Sequence, residues 1–86
     1  MELLPGEKLM SVAILPFDKN NAYSIICKNT DKFQIIKEKF YRENKEYKDY
    51  ESEYIFKLKN IRIEPSKTLK ENNIEDGNTI NLMEEA

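Results

Sequence analysis

Residues 54–83 read YIFKLKNIRIEPSKTLKENNIEDGNTINLM, and the order of elements within this stretch decides the fold. Tyr54–Leu58 is apolar and aromatic and predicts a strand. Lys59-Asn60 turns it into a short strand at Ile61–Ile63. Pro65 stops that strand, because proline cannot donate a ladder hydrogen bond. Thr68–Asn72 suits a short helical turn, and Gly77 after Asp76 supplies the positive φ of a final tight turn. Thr79–Met83 then alternates as a last strand, with Ile80 and Leu82 on one face and Asn81 and Met83 on the other.

Working outward, Lys8–Leu15 predicts a first strand with Met10, Val12 and Ile14 on one face and Ser11, Ala13 and Leu15 on the other. Pro16 ends it, and residues 18–21 (DKNN) read as a hairpin loop. Tyr23–Lys28 returns as a second strand, Tyr23, Ile25 and Cys27 alternating against Ser24, Ile26 and Lys28. Thr30 or Asp31 then caps a helix, and Asp31 with Gln34 fits a capping box. Phe33, Ile36, Phe40 and Asn44 form its apolar stripe, with Ile35 exposed on the opposite side. Lys45–Glu53 reads as a polar loop from which Tyr47 or Tyr50 folds back over the core edge. The expected architecture is α+β, a mixed sheet of four to five strands packed on one helix. Residues 1–8, with the turn pair Pro5-Gly6, form a lead-in, 9–84 the domain, and 85–86 a tail.

Composition sets the bounds. The 86 residues make at most one domain. A chain this short buries roughly 60–65% of its unfolded surface, enough for one modest core. The net charge of −2, with both signs mixed, argues against nucleic acid as a partner. Lys32–Lys48 is nevertheless basic and Pro65–Ala86 acidic, read as a solvated helix face and a solvated loop with its tail. A lone cysteine, Cys27, allows no disulfide within the chain and suits a reducing compartment, cytoplasmic or nuclear. Neither a signal peptide nor a long apolar run is visible, so no membrane partner is expected.

Enzyme chemistry finds little support. The chain has no histidine to serve as a base or complete a zinc set. It has no glycine-rich phosphate loop. Cys27 points inward on its strand and reads as a small buried hydrophobe. No cofactor, metal or small-molecule substrate is expected.

The ordered elements resemble ubiquitin and its relatives, the β-grasp family. The spacing Cys27–Phe33–Ile36–Phe40 is similar to that family's last core position on the second strand and the buried face of its helix. Leu69, Asn73 and Ile74 resemble its leucine-to-asparagine-isoleucine segment, and Thr79-Ile80-Asn81-Leu82-Met83 its final strand. The resemblance runs from Met10 to Met83. The first hairpin, the Lys45–Glu53 loop and the connection from Lys59 to Thr68 are longer here. Conjugated modifiers and sulfur carriers of this family end in diglycine, because only glycine fits the channels of their enzymes. Here the glycines are Gly6 and Gly77, and the sequence ends Glu84-Glu85-Ala86. The resemblance therefore implies a non-conjugating, intracellular adaptor module, part of a larger protein. A modifier precursor whose diglycine tail is absent here is the alternative.

The resemblance also implies a site. A single-layer sheet has one face on the helix and one toward water, and Tyr54–Leu58 has no clean polar alternation. Ile55 aligns with the isoleucine at the centre of ubiquitin's recognition patch, Met83 with the patch valine and Asn81 with the patch histidine. Lys57 and Lys59 border them, and Leu15 and Phe17 sit where ubiquitin's mobile patch leucine lies. With Ala13 and Ile26, the outward face becomes more apolar than a bare monomer surface needs. A protein partner on an otherwise monomeric domain is the expectation. Some β-grasp domains instead bind small GTPases by strand addition at the second strand, where Lys19 and Lys28 are the basic candidates.

Overall fold

Apolar side chains recur at every second position from Met10 to Ile14, and there the chain forms strand β1, Leu9–Pro16. The computed structural model describes residues 3–49 and 53–85. Further strands are β2 (Tyr23–Lys28), β3 (Tyr54–Leu58), β4 (Ile61–Arg62) and β5 (Thr79–Glu84). Helices α1 (Phe33–Glu43) and α2 (Lys45–Lys48) lie between β2 and β3. The strands make one mixed sheet in the order β2-β1-β5-β3-β4. β1 pairs parallel with β5 at the centre, and the remaining pairs are antiparallel. This is the expected α+β arrangement of a five-stranded sheet on a helix.

One sheet face meets α1. Phe33, Ile36 and Phe40 of the helix are fully buried against Val12, Ile14, Ile80 and Leu82 of the two central strands, closed below by Leu69. Aromatic edges fill the remaining space. The Phe40 ring lies 5.6 Å from both Tyr41 and Tyr47, and 6.2 Å from Phe56, which is 5.1 Å from Phe33. Edge-to-face contacts of this kind add to the apolar burial.

Several local details differ from the sequence reading. Asp31 and Gln34 do not form a capping box. The Asp31 carboxylate instead accepts the Lys28 amide at 2.9 Å, closing the turn after β2. Helix α1 begins after Lys32 with no side-chain cap. Its first amides reach across the fold instead: Phe33 N–H donates to the Lys67 carbonyl at 2.9 Å and Gln34 N–H to that of Pro65 at 3.0 Å. A reciprocal capping box occurs further on, where the Thr68 hydroxyl accepts the Glu71 amide and the Glu71 carboxylate accepts the Thr68 amide. It closes a single turn, and Asn73 leaves it at a φ of 59°.

Residues 45–53 are not merely a loop. Lys45–Lys48 forms the short helix α2, which turns Tyr47 into the core, while Tyr50 lies outside the described residues. The Tyr47 hydroxyl donates to Asp18 in the first hairpin. Burial, and then this bond, push the Tyr47 pKa well above its ordinary value. Tyr41, unassigned by the apolar stripe, is buried as well. Pro16 is the last residue of β1 and still pairs, standing opposite Leu82, and just beyond it Phe17 N–H donates to the Leu82 carbonyl at 2.9 Å. Lys59 and Asn60 both take positive φ, giving the two-residue turn whose twist suits a hairpin. Gly77 takes the positive φ that its position demands.

The segment before β1 is tied to the turn after β2. Asn29 accepts the Lys8 amide at 2.7 Å and donates to the Gly6 carbonyl at 3.0 Å. The Glu7 carboxylate accepts the Leu4 amide at 2.8 Å and the Thr30 hydroxyl at 2.9 Å, with the Lys28 ammonium at 3.5 Å. The Leu4 amide foremost, then the Thr30 hydroxyl, hold the Glu7 pKa below the usual carboxylate value. A lowered carboxyl pKa means that folding favours the ionised form. Its stabilisation is present above the ordinary carboxylate range and is lost as pH falls through the lowered value.

Two outcomes follow for denaturation experiments. Phe40→Ala should lower the unfolding free energy by about 3–5 kcal/mol, the usual loss for truncating a fully buried phenylalanine. Glu7→Gln should be less stable than the parent at neutral pH, and the difference should close in strong acid. A pH-independent difference would deny Glu7 its ionised role.

Candidate functional site

The sheet face turned away from α1 is assembled by strand register. Phe56 enters the core from β3, so Ile55 and Lys57 on either side of it point outward. Ile80 and Leu82 do the same on β5, leaving Asn81 and Met83 outside. In register, Leu15 stands opposite Asn81, which stands opposite Lys57 across β3. In the adjacent row Met83 stands opposite Ile55. Directly opposed residues have Cβ atoms about 4.5–5.5 Å apart, so these five side chains share one surface. Leu15, Ile55 and Lys57 are half-buried, while Asn81 and Met83 are exposed.

Phe17 stands just past the end of β1. Its ring lies 5.8 Å from Tyr54 and is 46% exposed. Leu15, Phe17, Asn81 and Met83 line a shallow depression of about 380 Å³, with Lys19 and Asn60 at its margin. Lys59 is placed differently from the others. It occupies the exposed β3–β4 turn, outside the register that joins Lys57 to Asn81.

The apolar surface continues toward β2. Ile26, opposite Ser11 in register, is 64% exposed, and Leu9, opposite Lys28, is 50% exposed. Ile26 follows from strand alternation. Leu9 was missed, although it lies on the same alternation as Ser11, Ala13 and Leu15; continuing that alternation back to the strand's first residue would have found it.

The side chains that the register joins on this face, Leu15, Ile55, Met83, Asn81 and Lys57, are apolar, amide or ammonium. Cys27 lies on the other side of the sheet, 4% exposed. Burial foremost, then the charge of Asp31, push its thiol up to about 11. Among the described residues, no helix is long and apolar enough to cross a membrane.

No family model matches the sequence, and no curated protein matches it. Solved structures do match. A de novo designed protein based on ubiquitin superposes with a TM-score of 0.73 at 20% identity, covering 95% of this chain and 93% of its own. The fold is the ubiquitin-like β-grasp. A ubiquitin from Caldiarchaeum subterraneum superposes with a TM-score of 0.74 at 15% identity, covering 92% of this chain and 96% of its own. The β-grasp order accounts for the central parallel pair and for the single helix across one sheet face.

The thiol of Cys27 gives a direct check of this geometry. At neutral pH a thiol reagent should modify it far more slowly in the folded protein than in denaturant, because the thiolate is the nucleophile and burial disfavours it. Equal rates in the two states would place Cys27 outside the core.

Proposed function

We propose that this chain is a non-catalytic protein–protein interaction module of the non-conjugating ubiquitin-like type, working within a larger intracellular protein. Its partner docks on Leu15, Ile55, Lys57, Asn81 and Met83, with Phe17 at one end and Lys59 at the rim. The observation that carries this reading is the register that joins Leu15, Asn81 and Lys57 in one row and Met83 and Ile55 in the next. Large apolar side chains stand exposed on this sheet face at both ends, Met83 beside Ile55 and Leu9 near Ile26, and exposed apolar residues grouped on one face are the kind of feature that marks interaction sites. The ubiquitin-like fold is generally that of a non-enzymatic module, in keeping with a binding role.

Energetics favour Ile55 as the centre. Fully burying an isoleucine contributes about 1.5–3 kcal/mol. Ile55 is already half-buried, so a partner gains the lower part of that range from it. Lys57 at the margin orients an acidic partner more than it adds affinity.

A second reading is strand addition by a small GTPase. The sheet order that leaves β2 at an edge favours it, as does the groove beside β2 lined by Tyr23, Ile26, Lys39 and Arg42. It ranks lower because its two basic candidates already stand near carboxylates: Lys28 is 3.5 Å from Glu7 and Lys19 is 3.9 Å from Glu46.

Ile55→Asp in a folded domain should weaken partner capture at least about tenfold, roughly 1.4 kcal/mol or more. The check is a lysate pull-down with wild type beside the variant, read by mass spectrometry and followed by titration of the recovered partner. Unchanged affinity in a folded variant would sink the reading. Loss of binding that depends steeply on salt and not on Ile55 would favour the β2 edge instead.

A further inference from the structure

Three consecutive residues of the first hairpin reach one neighbourhood. Phe17 packs on Tyr54 at a ring distance of 5.8 Å, Asp18 accepts the Tyr47 hydroxyl, and the Lys19 ammonium lies 3.9 Å from Glu46. Glu46 and Tyr47 belong to α2, and Tyr54 opens β3. The Tyr54 ring in turn lies 5.8 Å from that of Tyr47. The contacts therefore close on themselves: Phe17 to Tyr54, Tyr54 to Tyr47, Tyr47 to Asp18, and back along the backbone to Phe17. Given the docking role proposed for the outer sheet face, on which this depends, we propose that the closed ring of contacts locks the first hairpin against α2 and sets Phe17 in place for the partner. Tyr47 and Asp18 are then positioning residues for recognition.

The sheet ladder does not hold this hairpin by itself. Pairing of β1 with β2 runs only as far as Ile14 opposite Tyr23. Pro16 has no N–H with which to carry the ladder further. Phe17 N–H donates to the Leu82 carbonyl at 2.9 Å, and Lys19 N–H closes a turn onto the Pro16 carbonyl at 3.1 Å. These bonds fix the start of the hairpin. The side chains of Asp18 and Lys19 tie it to the domain beyond that point.

Tyr47 is suited to be the anchor. It is buried, with its ring 5.6 Å from that of Phe40, itself fully buried. A ring packed in the core has little freedom, so its hydroxyl is presented at a fixed point. The acceptor is a carboxylate, and a hydrogen bond to a charged acceptor is stronger than one between neutral groups. Lys19 with Glu46, by contrast, is an exposed pair and adds little. The Asp18–Tyr47 bond is therefore the strut, and Phe17 is its immediate neighbour in the chain.

Phe17 is where the lock meets the docking face. Its ring contacts Tyr54 and lines the depression with Leu15, Asn81 and Met83. Because that ring is half-exposed, its position shapes one end of the face. Fixing a contact residue before binding lowers the ordering cost that association carries.

The test begins with amide relaxation measured by nuclear magnetic resonance on the full chain, which needs no partner. Wild type is compared with Tyr47→Phe, Asp18→Ala and Asp18→Asn. Order parameters at residues 18–21 should be about 0.85 in wild type, the value of rigid backbone, and about 0.6 or lower in Tyr47→Phe and Asp18→Ala. Asp18→Asn keeps a carbonyl acceptor and should keep the hairpin ordered. Tyr47→Phe retains the buried ring, so the central strands should keep their order. Asp18→Ala, at an exposed position, gives the same reading should Tyr47→Phe fail to fold. A hairpin mobile in wild type, or equally ordered in every variant, would overturn the lock. Binding is the second readout, with the partner that wild type recovers from lysate and Ile55→Asp does not. A hairpin in place for about a third of the time weakens affinity about threefold, and Tyr47→Phe should lose at least that. In a Phe17→Ala background the same change should cost no affinity, because Tyr47 acts through Phe17. An equal loss with and without Phe17 would overturn the positioning role. Should Ile55→Asp leave capture intact, the docking reading falls and the role in recognition with it, while the relaxation result still decides the lock.

Discussion

The parallel pairing of β1 with β5 is the constraint on which the rest of the molecule depends. It joins Ala13 to Thr79 and Pro16 to Leu82, bringing the two ends of the fold together before the sheet can close. Contacts this distant in sequence cost loop-closure entropy before they return any burial. The return comes from four side chains, Val12, Ile14, Ile80 and Leu82, which the pairing places side by side under α1. A slip of one residue would turn all of β5 inside out. The register is pinned where β5 begins. The Asp76 carboxylate accepts the Ser11 amide at 2.7 Å, Gly77 N–H donates to the Ser11 carbonyl at 2.7 Å, and Ala13 N–H donates to the Asn78 carbonyl at 3.0 Å. The positive φ of Gly77 lets both Ser11 contacts form from one turn.

The same register creates the outer face, and this explains how much of the site could be read from sequence. Alternation is local, so the outward positions of β1, β3 and β5 follow from the order of residues alone. Which of them stand opposite each other depends on pairing between strands far apart in the chain. The likeness to ubiquitin supplied that information for Leu15, Ile55, Lys57, Asn81 and Met83. Lys59, expected only at the border, lies in the two-residue turn, which carries that side chain off the ladder. The likeness gave no sign of Leu9, which lies inside the predicted strand but outside the stretch from Met10 to Met83 that the likeness covers.

The features missed elsewhere share a cause: each is satisfied from a distance. Helix α1 takes its N-terminal acceptors from residues 65 and 67, so no local capping pattern marks its start. Asp31, the residue best suited to cap it, is engaged by the Lys28 amide instead. Tyr47 is buried because Phe40 and the hairpin residue Asp18 both reach it, and its own surroundings are polar in sequence. Asn72 is the plainest case. Its side-chain amide accepts the Glu64 amide and donates to the carbonyls of Glu64 and Thr68, holding the long connection after β4 against the capped turn. In sequence it is one asparagine among several.

Burial on one side of the sheet leaves the other surfaces free to differ, and here they differ in kind. The exposed ion pairs, such as Arg62 with Glu85 and Lys67 with Glu64, add little to stability because solvent screens them. Charge is therefore available for recognition, and its distribution is uneven. Cations gather along α1 and α2, carboxylates gather in residues 65–86, and Leu9, Ile26 and Met83 stand exposed on the outer sheet face. The core dictates none of this segregation, since outward positions on a helix or strand accept either sign. A fold alone does not assign function. The surface that the core leaves unconstrained is where this chain can have become specific, and it holds two chemically distinct faces back to back.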